Sequence, residues 1–101
     1  MTVVWSDNAL QRLDEIVAWH ESEAGADFAS EWFDGVLDRP DVLVEHPGIG
    51  REVPEVGREA VRELFYRDHR IIYELDRKNE QCTVLTVRHV RQKTTQRNFR
   101  Q

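Results

Sequence analysis

The sequence predicts an α+β fold, and the grounds are a change of apolar pattern and the segment that marks it. Up to residue 43 apolar residues recur every three or four positions, whereas after residue 60 they nearly alternate, so helices come first and a sheet follows. Between them lies HPGIGREVPEVG, residues 46–57, whose three glycines and two prolines are loop chemistry. The expected order is β-α-α-β-β-β, with an N-terminal strand and a two-helix antiparallel hairpin packed on a mainly antiparallel four-stranded sheet.

Val3, Val4 and Trp5 in a row suit a strand entering the core, and Ser6 then stops it. Ser6 is a good N-cap, Asp7 suits the first helical turn, and Leu10, Leu13, Ile16 and Val17 carry an amphipathic helix to about Ser22. Gly25 breaks it. Asp27 is then expected to cap a second helix with Phe28, Ala29, Trp32, Phe33, Val36 and Leu37 on the 3.6-residue period. Pro40 lacks an N–H and its ring crowds the Val36 carbonyl, so either the helix kinks or a short new turn starts there.

Three strands follow, over Val61–Tyr66, His69–Asp76 and Cys82–Arg88, joined by an Arg67-Asp68 turn and a polar hairpin loop over 77–81. The adjacent pairs Ile71/Ile72 and Val84/Leu85 imply apolar side chains on both faces. One face meets the helices and the other is expected to be partly covered by something else. Trp5, Trp19, Trp32 and Phe33 read as core rather than as a base-stacking platform.

With 101 residues, 40% of them hydrophobic and 33% charged, the chain has material for one core and a composition that excludes general disorder. Residues 1–91 are read as a single domain and 92–101 as a basic tail. The lone Cys82 has no partner for an internal disulfide and reads as a packing residue, and no stretch resembles a signal peptide or membrane span. His20, His46 and His69 are too dispersed to suggest a metal site. The expectation is a cytoplasmic protein with no metal or cofactor. The net charge of −5 is uneven: residues 1–60 hold 14 acids against 4 bases, and residues 61–101 hold 5 acids against 10 bases. The basic part suits a phosphate or an acidic protein, while the acidic part repels nucleic acid at long range.

Several short strings carry a family resemblance: Trp5-Ser6 with Ala9, His46-Pro47-Gly48-Ile49-Gly50-Arg51, Val61-Arg62-Glu63-Leu64, His69-Arg70-Ile71-Ile72-Tyr73, and Val87-Arg88-His89-Val90-Arg91. In this order and spacing they resemble the RelE/ParE superfamily of toxins from type II toxin–antitoxin systems. The resemblance implies a small toxin neutralised by a cognate antitoxin, in a hetero-oligomer with it. One branch, RelE/YoeB-like, consists of ribosome-dependent messenger RNA endonucleases; the other, ParE-like, inhibits DNA gyrase.

Cleaving RNA through its 2′-hydroxyl needs a base, cations on the crowded phosphorane, and an acid for the leaving oxygen. The resemblance to the nuclease branch would make Arg70 and His89 the catalytic pair, with Glu52 or Glu55 as base. Against this, Val90 replaces the aromatic acid that often follows the histidine in that branch, and the branch's lysines are missing. The ParE-like reading is therefore favoured, with Arg62, Arg70, His89 and Arg91 as target-binding residues. A third alternative is an inactive antitoxin-binding member, suggested by Pro40 where the family usually has an aliphatic residue. Each residue also has a purely structural reading: Arg62 paired with a helix carboxylate, His89 hydrogen-bonded at a strand end, and Arg70, a strand arginine among isoleucines, held by a specified partner.

Overall fold

The computed structural model describes residues 1–92, so the basic tail expected over 92–101 lies, from residue 93 on, outside the described residues. The elements are β1 (Thr2–Trp5), α1 (Asp7–Ala24), α2 (Ala26–Asp38), a 3₁₀ helix (Arg39–Val44), β2 (Arg51–Glu52), β3 (Val61–Tyr66), β4 (His69–Asp76) and β5 (Gln81–His89). They form an α+β domain around a five-stranded sheet in the order β1-β5-β4-β3-β2. The sheet has one strand more than expected, because Arg51–Glu52 in the glycine/proline stretch pairs with Arg62–Glu63. β1 runs parallel to β5, and the other pairs are antiparallel.

Local chemistry fixes the element ends. Ser6 caps α1 by accepting from the Ala9 N–H at 3.1 Å, and its hydroxyl donates to the Leu85 carbonyl at 3.2 Å, so one side chain ties the helix start to β5. Gly25, at φ 92, joins the helices without an intervening loop, a conformation that L side chains rarely adopt. The position before α2 is therefore Gly25 and not Asp27, which lies in the first turn and adds its charge to the favourable end of the dipole. At Pro40 the chain tightens into the 3₁₀ helix, where a missing N–H in the first turn is tolerated.

The main core lies between the hairpin and the sheet, with Leu13, Ile16, Trp32 and Val36 against Leu64, Ile71, Tyr73 and Val87. On the opposite face Val53 and Val56 pack over Val61 and Ile72, so the chain's own segment after β2 supplies the expected cover. Trp19 departs from its core reading: it sits on α1 but is 58% exposed.

One irregularity sets the geometry of everything beyond it. Tyr73 lies opposite Val84, yet Ile72 lies opposite Thr86, so Leu85 is an extra residue in β5. Side chains alternate along a strand, and a one-residue insertion therefore exchanges the faces of all that follow. Arg70 consequently faces Arg88 across the ladder, and His69 faces His89. Were Leu85 paired with Ile72 instead of bulged, Arg70 would lie opposite Val87 and share a face with His89.

Candidate functional site

Arg70 stands on the face of β4 turned away from the helices, in a row with Phe65 of β3 and Arg88 of β5. It is only 4% exposed, and four of its five guanidinium N–H donors are engaged. Nε donates to Glu63 Oε1 at 2.6 Å, Nη1 to Glu55 Oε2 at 2.8 Å and to the Gln92 carbonyl at 3.0 Å, and Nη2 to Glu55 Oε1 at 3.0 Å. Arg51 Nε donates to the second Glu63 oxygen, which gives this buried carboxylate a guanidinium on each side. Glu55 reaches Arg70 because the chain turns at 53–57, where the Val56 and Gly57 amides both donate to the Val53 carbonyl at 3.1 Å. The Arg70 pKa is raised, first by the hydrogen bonds it donates to Glu55 and then by Glu63, against the opposing effect of burial.

His89 points to the helix side instead. Its ring centroid lies 5.6 Å from that of His69, which lies 6.2 Å from His20 and 5.2 Å from Trp32. The three histidines that this fold gathers are therefore His20, His69 and His89, while His46 is in the loop after the 3₁₀ helix. Burial, then the neighbouring His89 and His20, lowers His69 to about 4. Burial and the Arg67 charge likewise lower His20. A groove of about 470 Å³ opens between Arg12, Ile16 and Trp19 of α1 and His69, His89 and Gln92. His89 is fixed at its rim: its amide donates to Gln92 Oε1 at 3.0 Å and its Nδ1 accepts from the Arg91 amide at 3.1 Å. Among the described residues no group of three His, Cys, Asp or Glu side chains is arranged to hold a metal ion.

Arg62 serves the loop. Its Nη1 donates to the Gly50 carbonyl at 2.8 Å and Nη2 reaches Glu59 at 3.5 Å, so its partners are loop groups rather than a helix carboxylate. Tyr73 secures the same loop, donating to the Pro47 carbonyl at 2.8 Å and accepting from the Gly50 amide at 3.1 Å. A Cβ at Gly50 would lie 2.6 Å from the Tyr73 hydroxyl and 2.7 Å from the Glu63 carbonyl, so only glycine fits this approach. The four residues singled out in the sequence thus occupy separate places: Arg70 on the open face, His89 on the helix side, Arg62 under the loop, and Arg91 exposed in the turn after β5.

The family model described as the ParE toxin of the type II toxin–antitoxin system, parDE, matches residues 3–94. The chain belongs to the ParE toxin family. Among solved structures it is similar to a chain of the chromosomal ParDE system from P. aeruginosa, at 18% identity and a TM-score of 0.74, covering 88% of this chain and 95% of that one. It also matches a chain of the RelBE2 toxin–antitoxin complex from Mycobacterium tuberculosis, at 20% identity and a TM-score of 0.49, covering 87% and 95%. Comparison with curated proteins gave no matching sequence.

Around Arg70, then, this ParE-family chain carries residues that motif reasoning did not select. Glu63 was legible only as a neighbour of Arg62, and nothing in the spacing paired it with Arg70. Arg88 was hidden by the bulge at Leu85, since strict alternation through Leu85 would set Arg88 opposite His69 instead of Arg70. Arg12 reads as an ordinary helical arginine, but its Nε donates to the Val87 carbonyl at 3.3 Å and closes part of the free edge of β5.

Proposed function

We propose that this ParE-family toxin inhibits DNA gyrase in the cytoplasm and is neutralised by a cognate antitoxin. The observation that carries the choice of target is the engagement of four of the five Arg70 donors by partners within the chain. A phosphate-stabilising arginine needs free donors aimed at the reacting group, whereas the donors of Arg70 face Glu63, Glu55 and the Gln92 carbonyl. Admitting a phosphate would require displacing the bidentate Glu55 carboxylate. His89 lies across the sheet from it, so the two do not flank one scissile bond in this arrangement. Within this reading His89 and the exposed Arg91 contact the target beside the groove under Trp19, while Arg70 and Arg62 hold the sheet and loop in shape.

Expression of the full chain without antitoxin separates the alternatives. The expected outcome is DNA double-strand breakage and filamentation with intact message. Rapid cleavage of translated message would overturn the proposal in favour of the ribosome-dependent endonuclease, and neither effect would leave an inactive antitoxin-binding member.

A further inference from the structure

Arg88 sits beside Arg70 on the open face but, unlike it, has no acceptor or ion-pair partner among the described residues, and its buried Nε makes no hydrogen bond. A desolvated, unpaired guanidinium is costly, and a neutral polar or apolar side chain would fill a strand position more cheaply. Its cross-strand neighbour is the cation Arg70, and burial first, then the charges of Arg12 and Arg70, lowers its pKa. The adjoining carboxylates, Glu55 and Glu63, are committed to Arg70 and Arg51. The row also holds Phe65, 43% exposed, with the Arg51 guanidinium 5.2 Å over its ring, so an apolar contact lies in line with the cation.

We propose that Arg88 is a socket for a single carboxylate, delivered by an acidic, partly apolar segment of the antitoxin lying across the Phe65–Arg70–Arg88 row. This rests on the antitoxin-neutralised reading above and names the contact. A carboxylate fits better than nucleic acid. The Glu55 and Glu63 carboxylates beside the socket and the 14 acids among residues 1–60 repel a polyanion. One carboxylate meets one fork and, with Arg88 partly desolvated, forms a charge-assisted pair stronger than a surface one.

The test is titration calorimetry of the full-length chain and its Arg88→Gln, Arg88→Lys and Arg88→Glu variants against the cognate antitoxin. Arg88→Gln is expected to weaken binding by roughly tenfold or more, and Arg88→Lys to recover only part of it. Arg88→Glu should weaken it further, and one acidic-to-arginine change in the antitoxin should restore it. Thermal melting of the free chain checks folding, because Arg88→Gln removes an unpaired charge and should melt no lower than the parent. Binding of Arg88→Gln within about twofold of the parent overturns the inference while leaving the antitoxin reading intact. So does failure of every charge reversal to rescue Arg88→Glu, or loss of oligonucleotide binding alone. A parent chain that does not bind the antitoxin overturns both.

Discussion

At the scale of single residues, buried charge separates what holds this protein together from what meets a partner. The Glu63 side chain is fully buried between Arg51 and Arg70, whereas that of Glu55 is 26% exposed. Removing a partner from a buried pair leaves an uncompensated charge, so Glu63→Ala should cost about 3–5 kcal/mol. Glu55→Ala should cost no more than about 1–2 kcal/mol, because water can replace it. Urea unfolding compares them, and equal losses would contradict the ranking. His69 supplies a pH dependence. Its folded pKa is lowered to about 4 from the ordinary histidine value of 6.5, so between those values the unfolded chain binds more protons. Its contribution is fully present above the unfolded pKa and is lost as pH falls towards the folded one. About 1 kcal/mol should disappear between roughly pH 7.5 and 5.5, and His69→Phe should flatten that slope; an unchanged slope would contradict the assignment. The sequence offered Arg70 as a surface arginine or as one with a specified partner, which a strand arginine among isoleucines usually has. It did not announce which, because Glu63 sits on the neighbouring strand and Glu55 arrives through a turn set by tertiary packing of Val53 and Val56.

At the scale of elements, strand parity decides which side chains meet. The helices and the three long strands were legible because their apolar periods differ and Ser6, Gly25 and Pro40 punctuate them. The two-residue β2 was not, since its pairing with β3 depends on a loop tied down by Tyr73 and Arg62. Leu85 was illegible for a sharper reason: Val84 followed by Leu85 reads as a strand apolar on both faces, and the structure makes Leu85 the unpaired extra residue instead. Deleting Leu85 should close the bulge and leave Thr86 and Arg88 on the open face and Val87 in the core, because Val84 followed directly by Thr86 restores strict alternation. That variant is expected to keep a cooperative thermal transition; loss of the transition would contradict the placement of Leu85 as the extra residue.

At the scale of the whole molecule, the charge division in the sequence becomes a division of labour. The acidic first part contributes the helices and Glu55, while the strands after residue 60 contribute Arg62, Arg70 and Arg88. Charge from one part therefore neutralises charge on the other, and Arg88 and Arg91 are the residues proposed for outside contacts. This accounts for an acidic protein with a basic sheet end. The most direct measurement is a DNA supercoiling assay with purified gyrase and the purified full chain, run beside translating ribosomes carrying a defined message. The account predicts that supercoiling stops and linear DNA accumulates while the message stays whole; undisturbed supercoiling with message cut at the ribosome would contradict it.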